Sequence, residues 1–324
     1  MLEQQIFHIK SKQDFENIAL EVFHFQYEQV SVYRQYCELL NIQTNTIKTI
    51  RDIPFLPIEF FKKLPIITSE KKPETTFTSS GTTGSTTSKH LIANLTVYRQ
   101  SFLDGFHHFY GDPSQFIILA LLPSYLERED SSLVYMVDQL IKETHNLNSG
   151  FYLNNLDILA EKLVQLDAGD RKVLLLGVSY ALLDLIEKQT FKLKNTYVME
   201  TGGMKGRRKE MIKEVLHDTL KSGFGVQKIH SEYGMTELLS QAYSKGNGLF
   251  SCPPWMRILT RDPEDPLTLI DGSTGGINVI DLANINSCSF IATQDLGKIH
   301  PNESFEILGR FDTSDIRGCN LMVL

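Results

Sequence analysis

The chain has 324 residues, of which 42% are hydrophobic and 22% are charged, and these proportions are typical of soluble globular proteins. They exclude an intrinsically disordered chain, a collagen-like chain and a small disulfide-rich scaffold. The 32 basic and 39 acidic residues give a formal net charge of −7. Because the sequence also has no long basic run, this charge argues against nucleic-acid binding.

The sequence shows no sign of export, membrane insertion or disulfide stabilisation. The N-terminal residues lack the basic and apolar regions of a signal peptide, and no apolar run approaches ~18 residues, so no membrane span is expected. None of the four cysteines lies in a CxxC pair, which argues against a zinc ribbon. Cys37, Cys252 and Cys288 are expected to be structural, since buried unpaired cysteines are common. A cytoplasmic location is the simplest interpretation.

The N-terminal region is predicted to be helical and then irregular. Apolar residues recur at helical spacing over residues 12–42, which predicts a helix. Ile53-Pro-Phe-Leu-Pro57 then ends it, because each proline removes a backbone donor and restricts the residue before it. Residues 74–88 are mostly serine, threonine and glycine, which predicts a loop.

From residue 115 onward, short apolar runs alternate with amphipathic stretches. The predicted strands are Gln115–Leu122, Lys172–Gly177, Lys194–Glu200 and Val226–His230, and the predicted helices are Ser132–Lys142, Ala181–Lys188 and Gly206–Lys221. This alternation predicts an α/β fold in which helices flank a mostly parallel sheet.

The last quarter of the chain changes character near residue 250. Turn signals such as Asp262-Pro and Asp271-Gly separate short apolar runs there. The predicted strands are Met256–Leu259, Leu267–Ile270, Gly276–Leu282, Ser289–Thr293 and Phe305–Leu308. The sequence therefore predicts two units, an α/β lobe over residues 1–250 and a small β subdomain over residues 251–324.

The hydroxyl-rich segment from Thr78 to Lys89 suits a polyphosphate ligand. Glycines let the backbone approach a ligand and turn its N–H groups toward an anion, while hydroxyls and Lys89 add further donors. The spacing is not that of a Walker A motif, because Thr86 stands where the second glycine would be needed. A flexible surface linker is the alternative interpretation.

This loop and three later segments resemble, in the same order, the motifs of the adenylate-forming superfamily of acyl-CoA synthetases, luciferases and peptide-synthetase adenylation domains. The loop is similar to the phosphate loop T-S-G-T-T-G-x-P-K, although the proline is absent and the lysine comes late. The matching residues are Ser79, Ser80, Gly81, Thr82, Thr83, Gly84 and Lys89. Tyr233-Gly234-Met-Thr236-Glu237 resembles Y-G-x-T-E, Thr293-Gln-Asp295-Leu-Gly297 resembles the T-G-D segment, and Gly309-Arg310-Phe-Asp312 resembles the G-R-x-D hinge motif.

The resemblance implies the large lobe of an adenylate-forming enzyme with a small C-terminal β subdomain, and it implies ATP and Mg²⁺ as cofactors. In that family pattern Tyr233 stacks on adenine, Thr236 contacts the α-phosphate and Glu237 helps to hold Mg²⁺. Asp295 binds the ribose hydroxyls. The remaining implied nucleotide-site residues are Gly202, Gly203, Gly234 and Arg310.

The superfamily's mobile C-terminal domain, with its catalytic lysine, is expected to have no counterpart in this sequence. Charge on the attacking carboxylate must then be balanced by another group, and Arg257, Arg310 and Lys89 are the candidates. A non-catalytic lobe that binds a nucleotide or an acyl-adenylate without turnover is one alternative that this difference leaves open.

The whole chain is also similar to the acyl-protein synthetase family of the bacterial bioluminescence fatty-acid reductase system. The resembling segments are Tyr27–Cys37, Ile53–Pro57, Phe77–Gly84, Leu175–Ser179, Thr201–Gly203, Pro253–Arg257 and Arg317–Leu321. In that family a cysteine near the C-terminus accepts the activated acyl group as a thioester, and Cys319 is in the matching position. Arg317 nearby would favour the reactive thiolate, while a small buried residue is the alternative role.

The expected function is ATP-dependent activation of a carboxylic acid, expected to be a fatty acid, and transfer of its acyl group to Cys319. The implied partners are an acyl reductase or an acyl carrier. The sequence leaves open whether coenzyme A or a carrier is the final acceptor, and whether the protein forms a homo-oligomer.

Two further sites carry alternatives. Ser179, in a strand-G-x-S-helix context, could be a hydrolase or thioesterase nucleophile, a helix N-cap or part of the substrate pocket wall. His230 lines the acyl pocket in one interpretation and is a satisfied structural histidine in the other. The basic run of Lys205, Arg207, Arg208 and Lys209 is either a solvated helix face or a docking site for a carrier protein.

Overall fold

A computed structural model describes the chain over residues 2–79, 87–122, 130–152, 155–204, 207–209 and 211–311. The helices of these residues are α1 (Leu2–Gln5), α2 (Lys12–Gln29), α3 (Ser31–Leu39), α4 (Phe60–Lys63), α5 (Leu95–Tyr110), α6 (Ser132–Glu143), α7 (Leu156–Asp167), α8 (Ser179–Lys188) and α9 (Lys213–Phe224). No helix in this part of the chain has both the length and the apolar character needed to cross a bilayer.

The strands fall into a hairpin and one large sheet. The strands are β1 (Leu56–Pro57), β2 (Thr75–Thr78), β3 (Lys89–Ile92), β4 (Phe116–Leu121), β5 (Gly150–Tyr152), β6 (Lys172–Val178), β7 (Thr196–Thr201), β8 (His230–Tyr233), β9 (Ala242–Ser244), β10 (Phe250–Ser251), β11 (Met256–Arg261), β12 (Leu269–Ile270), β13 (Gly275–Asp281), β14 (Phe290–Ile299) and β15 (Phe305–Arg310). Strands β2 and β3 form the separate hairpin.

The large sheet is mixed and has the strand order β12-β11-β13-β14-β15-β10-β9-β8-β7-β6-β4-β5, with β1 paired to β14 outside this path. Strands β5, β4, β6, β7 and β8 run parallel to one another. In the rest of the sheet, from β8 to the edge strand β12, every neighbouring pair on this path is antiparallel. This architecture confirms the predicted α/β class, and it brings the carboxyl ends of the parallel strands to one edge of the sheet.

The core lies where the parallel strands are covered on both faces. All six residues of β4 are buried, and six of the seven residues of β6 are buried. Such continuous apolar runs are typical of parallel strands that have helices on both sides. The rigid part of the sheet therefore stands directly behind the edge that carries the sequence motifs.

The N-terminal helices pack against the C-terminal strands. Helix α2 begins at a capping box in which the Ser11 hydroxyl accepts from the Asp14 N–H and the Asp14 carboxylate accepts from the Ser11 N–H, and this arrangement satisfies two free donors. At its other end the buried Gln26 amide donates to the carbonyl oxygens of Asn284 and Ile285 at 3.0 and 2.9 Å. The predicted helix over residues 12–42 is thus found as two helices that are broken at Val30.

The sheet is continuous across the predicted domain boundary at residue 250. Strand β10 begins there, with Phe250 paired to Ser244 of β9 on one side and to Phe305 of β15 on the other. The pairing of β10 with β9 and β15 joins the two predicted parts by backbone hydrogen bonds. The division into residues 1–250 and 251–324 stays a prediction.

Helix α9 begins at Lys213, so the predicted start at residue 206 is wrong. Ile212, at the N-cap, is extended with a ψ of 147°, and Arg208 before it is held by ion pairs to α8. Arg208, one of the charged residues that suggested a longer helix, therefore makes contacts between elements instead.

Of the strand boundaries that differ from the prediction, two affect motif residues. Strand β8 begins at His230 rather than Val226, because its ladder with β7 starts at the pair Met199–His230. Strand β14 extends to Ile299 rather than Thr293, because β15 pairs with its second half, from Asp295 to Ile299. Both differences place motif residues inside regular strands, where their side chains are held more firmly than in a loop.

Candidate functional site

Three predicted nucleotide-site residues meet around one carboxylate. The hydroxyl of Tyr233, at the end of β8, donates to Oδ2 of Asp295 at 2.8 Å. The Arg310 Nε lies 3.4 Å from Oδ1 of Asp295, and the two residues are cross-strand partners on β15 and β14. Burial raises the pKa of the Asp295 carboxyl, while the Tyr233 hydroxyl and the Arg310 charge oppose that rise. The carboxylate is therefore oriented through both oxygens.

The ring of Tyr233 is fixed by two aromatic neighbours from the antiparallel part of the sheet. Phe250 and Phe305 contact it edge-on, with centroid distances of 5.9 and 5.7 Å. Edge-to-face pairs of this kind add about 0.5–1.5 kcal/mol beyond the area that they bury. The phenol is thus positioned by packing as well as by its hydrogen bond.

The loop after β8, which carries Thr236 and Glu237, is fastened through its backbone. His90 Nδ1 donates to the Thr236 carbonyl oxygen at 2.8 Å, and the Asn284 amide donates to the Glu237 carbonyl oxygen at 2.7 Å. Further along the loop, Asp281 accepts two backbone N–H bonds at 2.7 and 2.9 Å. Burial lowers the pKa of His90 to about 4, so this ring is a neutral donor at pH 7.

The carboxylate of Glu237 is almost enclosed, with a relative exposure of 6% for the residue. Burial raises the pKa of the Glu237 carboxyl, and the Ser88 hydroxyl and the charges of Arg310 and Lys62 oppose that rise. It forms no ion pair with a described residue. A desolvated carboxylate with so few partners is a suitable oxygen ligand for Mg²⁺, although the described residues contain no cluster of three metal-ligating side chains.

The two ends of the predicted phosphate loop are held together beside Glu237. Thr78 and Lys89 are paired in the β2–β3 hairpin. Beyond them, the Ser79 N–H donates to the Ser88 carbonyl oxygen at 3.0 Å, and the Ser88 N–H donates to the Ser79 hydroxyl at 2.9 Å. The predicted residues Ser80, Gly81, Thr82, Thr83 and Gly84 lie outside the described residues.

The turn after β7 carries Gly202 and Gly203, and it is adjacent to the end of β8. Gly202 has a φ of +66°, a left-handed conformation that glycine adopts without strain. In the strand before the turn, the Thr201 hydroxyl donates to Oε2 of Glu232 at 2.5 Å. Because Glu232 precedes Tyr233, both glycines are brought to the same sheet edge as the tyrosine. Gly234 directly follows Tyr233. A side chain there would be too close to Glu232, because a Cβ would lie 2.5 Å from Oε1 of Glu232.

Ser179 stands at the first position of α8 rather than at its N-cap, so the N-cap prediction is wrong. Val178 is the N-cap residue, and the Ser179 hydroxyl instead contacts Glu200 Oε2 and the Gly202 carbonyl oxygen at 3.2 and 3.0 Å. In the described part of the chain, the nearby His217 contacts Glu200 rather than Ser179. This geometry supports a role in positioning the glycine turn and gives no support to a hydrolase nucleophile.

Two buried glutamates beneath this edge were not singled out in the sequence. Burial disfavours the Glu200 charge, but Lys213 at 3.1 Å, His217 and Ser231 hold the pKa of Glu200 at about 2. Burial raises the pKa of Glu232 to about 7, with the Thr201 hydroxyl opposing. Their position at strand ends next to the glycine and tyrosine motifs is the sequence signal that could have identified them.

The structure does not bring His230 to this site. It lies at the opposite end of β8, three residues before Tyr233, and each strand residue adds roughly 3.3 Å. Its Nδ1 is 3.1 Å from the Tyr110 hydroxyl, and its ring contacts Tyr197. Burial lowers the pKa of His230 to about 4, and Lys245 contributes. These contacts fit a satisfied structural histidine, and the acyl-pocket role stays a prediction.

The other basic candidates are dispersed. Arg257 stacks on the Phe15 ring at 4.3 Å, away from Asp295. Lys89 is exposed at the start of β3. In the basic run, Arg208 forms ion pairs with Asp184 and Glu187. These pairs give it a structural role, and the docking interpretation stays a prediction.

The described cysteines carry no thiolate. Cys37, Cys252 and Cys288 are free thiols. Burial raises the pKa of Cys37 to about 12 and raises that of the other two further. These values agree with the predicted structural role. Cys319, the predicted acyl acceptor, lies outside the described residues, as do Lys205 and Asp312.

A family model described as acyl-protein synthetase, LuxE, matches residues 8–324 of this chain. Among curated proteins, a long-chain-fatty-acid–luciferin-component ligase of Aliivibrio fischeri is 23% identical over 347 residues. That alignment covers 96% of this chain and 88% of the relative. The similarity therefore extends over nearly the whole length of both proteins.

Two crystal structures of other proteins share the fold. An open conformation of 2-hydroxyisobutyryl-CoA ligase in complex with 2-HIB-AMP and CoA has a TM-score of 0.68 at 13% identity, and covers 94% of this chain and 72% of that chain. ATP-bound MatB from Rhodopseudomonas palustris has a TM-score of 0.54 at 16% identity and covers 72% of this chain. The match spans about half (47%) of the length of that MatB chain. At these identities the likeness concerns the fold alone.

Proposed function

The chain belongs to the acyl-protein synthetase (LuxE) family, and from that premise we propose that it activates a long-chain carboxylic acid with ATP and transfers the acyl group to its own Cys319. The observation that carries the proposal is the convergence of Tyr233, Asp295, Arg310 and Glu237 at one edge of the sheet. These residues come from two separate motifs and a hinge segment, and each has the chemistry that a nucleotide requires.

In the first step a carboxylate oxygen of the acid forms a bond to the α-phosphorus of ATP. The bond from that phosphorus to the bridging oxygen breaks, and pyrophosphate leaves, with no proton transferred. Asp295 accepts hydrogen bonds from the ribose, and the Tyr233 ring lies against adenine. The Thr236 side chain contacts the α-phosphate. Fixed groups of this kind act mainly by positioning the reactants and by stabilising charge.

Glu237 is the residue proposed to hold Mg²⁺. A cation bound there supplies positive charge that screens the phosphate oxygens. Glu237 is suited to this role because its carboxylate is buried, has the Ser88 hydroxyl as a neighbour and forms no ion pair within the described residues. The loop backbone on either side of it is fixed by His90 and Asn284.

In the second step the Cys319 thiolate attacks the carbonyl carbon of the acyl-adenylate. A carbon–sulfur bond forms, the bond to the phosphate oxygen breaks, and AMP leaves; the thiol proton has already passed to solvent when the thiolate formed. The thiolate is the reactive form of cysteine, and Arg317 is two residues away in the sequence. We further propose delivery of the acyl group to an acyl reductase or acyl carrier, and a cytoplasmic location, which the free cysteines support.

The adenylation step is tested by pyrophosphate release from purified protein, Mg-ATP and a series of straight-chain carboxylic acids of increasing length. Acid-dependent release that increases toward long chains is expected. Asp295→Asn lowers that release by weakening ribose binding, whereas the control Asp218→Asn, on the exposed face of α9, leaves it unchanged.

The acceptor is tested in the same reaction by adding coenzyme A. Acyl transfer to coenzyme A in place of the protein would overturn the Cys319 assignment and keep the activation step. If ATP binds but no acid in the series releases pyrophosphate, the non-catalytic nucleotide-binding lobe becomes the better account.

A further inference from the structure

A buried positive charge stands in the antiparallel half of the sheet without an acidic partner. Arg261 ends β11 and is 8% exposed, and in the part of the chain that the structure describes its guanidinium forms no ion pair. Burial lowers the pKa of Arg261, and the charges of Glu59 and Asp295 are among those that oppose this effect. Because a buried charge is costly unless other groups compensate it, the groups that contact this guanidinium are informative.

The Arg261 side chain crosses the sheet from β11 over β13 to β14. Nη1 donates to the Ile277 carbonyl oxygen at 2.8 Å and to Oδ1 of Asn278 at 2.7 Å, and Nη2 donates to the Thr293 carbonyl oxygen at 2.5 Å. A β-bulge lies at this point of β13, and bulges commonly redirect the groups around them. The side chain passes over Gly276, where a Cβ would lie 2.6 Å from the guanidinium carbon. A larger residue there would therefore displace the guanidinium.

The Arg261 guanidinium also contacts the residue that follows β15. Its carbon lies 5.5 Å from the centre of the Phe311 ring, a cation–π contact of the kind that strengthens where water is excluded. Phe311 is half-buried, and its N–H donates to the Gln294 carbonyl oxygen at 2.7 Å. Arg310, just before it, is paired with Asp295. The end of β15 is thus fastened to the short segment of β14 that carries the proposed ribose-binding carboxylate.

This anchor fixes the point at which the C-terminal tail, residues 312–324, begins. Cys319 follows Phe311 by eight residues, which reach at most about 29 Å when fully extended. For a flexible tether, loss of the anchor adds a residue or two of free length and changes the encounter rate by less than about twofold, since that rate falls roughly as the −3/2 power of length. If the anchor orients the tail, a displacement of about 1 Å can cost up to about 10²-fold.

We propose that Arg261 is a positioning residue for acyl transfer, which holds Phe311 and thereby directs the tail with Cys319 toward the acyl-adenylate; this inference rests on the proposed function. Arg261 takes no part in the bond changes, in which the thiolate forms the carbon–sulfur bond and AMP leaves. Adenylation does not use the tail, so the anchor acts on the second step alone. An arginine suits this role because its planar guanidinium donates several hydrogen bonds and also stacks on an aromatic face.

The test measures the two steps separately after rapid mixing of the protein with Mg-ATP and a long-chain acid. The first burst of pyrophosphate reports adenylation, and mass spectrometry of the Cys319 peptide at successive times reports transfer. Phe311→Leu keeps an apolar side chain but removes the ring, and it is expected to slow transfer about tenfold or more with an unchanged burst. The control Phe109→Leu removes a half-buried ring on α5 that faces Lys245 at 5.9 Å, and both rates stay unchanged.

A double variant tests whether the Phe311 ring acts through the guanidinium. In an Arg261→Met background, Phe311→Leu is expected to slow transfer by less than about twofold further, because the effects of two groups that act through one contact are not additive. Full additivity of the two substitutions would overturn the role of Arg261.

The other outcomes decide between explanations. Slowing of transfer by less than about twofold in Phe311→Leu, as expected for a simple tether, would overturn the anchor and leave the proposed function intact. Equal slowing of the burst and of transfer would also overturn it, because Phe311 would then act on the nucleotide site. Pyrophosphate release without a thioester on Cys319 in the unaltered protein would overturn the proposed acceptor, and this inference with it.

Discussion

Replacement of Tyr233 by phenylalanine tests whether the hydrogen bond to Asp295 organises the proposed nucleotide site. The substitution removes a single oxygen atom, which donates to Oδ2 of Asp295 at 2.8 Å. The ring contacts with Phe250 and Phe305 remain. A hydrogen bond to a charged group contributes about 1.5–3 kcal/mol, and 1.4 kcal/mol is about tenfold in affinity. Because this bond is present with and without ATP, only the part of its free energy that orients Asp295 for the nucleotide is lost from binding, and the dissociation constant of ATP is expected to rise by up to about tenfold.

The same change moves the pH dependence of ATP binding in a defined direction. Burial raises the pKa of Asp295, and the Tyr233 hydroxyl is the first of the groups that oppose this rise. Without the hydroxyl the pKa of Asp295 rises further, and the proposed contact with both ribose hydroxyls requires the ionised carboxylate. The acid limb of kcat/KM for ATP is therefore expected to move to higher pH.

Calorimetric titration with ATP and a pH series of pyrophosphate release measure both effects. Tyr243→Phe is the matched control, because Tyr243 is buried on the neighbouring strand β9 and contacts Phe109 and Tyr110 instead of Asp295. If Tyr233→Phe binds ATP as tightly as Tyr243→Phe and has the same acid limb, the hydrogen bond to Asp295 has no part in nucleotide recognition and the reasoning is wrong.

Three other substitutions have expected outcomes. Glu237→Gln lowers pyrophosphate release and raises the Mg²⁺ concentration that it requires, while the thermal midpoint stays equal or rises, because burial disfavours the charge that is removed. Glu200→Gln destabilises the protein by ~3 kcal/mol near pH 7 in urea unfolding, since Lys213 and His217 lose their partner. That contribution exists above the unfolded pKa of 4.5 and is lost as pH falls toward about 2. Gly225→Ala lowers the urea midpoint, because a Cβ would lie 2.6 Å from the Phe191 carbonyl oxygen at a φ of +69°; an unchanged midpoint would contradict this.

Urea unfolding of the Glu232→Gln variant over a pH series tests the second buried glutamate, Glu232, separately from Glu200. The pKa of Glu232 is raised to about 7, so its charged form is disfavoured in the folded protein. As pH rises from about 4.5 through 7, the unaltered protein loses stability that this variant keeps. Identical pH profiles for the two proteins would show that the charge of Glu232 is not destabilising.

The sequence predicts the parallel half of the fold well, for a clear physical reason. The strands Phe116–Leu121 and Lys172–Val178 are continuous apolar runs, and such runs are buried on both faces only between helices. The antiparallel half was less predictable. Strand β14 owes its length to the partner strand β15, and a pairing between distant segments leaves no local periodicity in the sequence.

The site shows the same division between local and distant information. The motif residues Tyr233, Glu237, Asp295 and Arg310 could be assigned from resemblance, and the contacts of Tyr233, Asp295 and Arg310 bring those three together. The way the loop with Thr236 and Glu237 is held could not, because its partners His90 and Asn284 lie 146 and 47 positions away in the chain. Helices α5 and α7 were also not predicted, since histidines and scattered charges interrupt their apolar pattern.

Peptide mass spectrometry after a reaction with Mg-ATP and a long-chain acid tests the central claim most directly. An acyl thioester is expected on the peptide that contains Cys319. The adduct is expected to be lost in Cys319→Ala, which continues to release pyrophosphate, and to be kept in Cys252→Ala. An adduct that persists in Cys319→Ala, or its absence from the unaltered protein while pyrophosphate is released, would contradict the account.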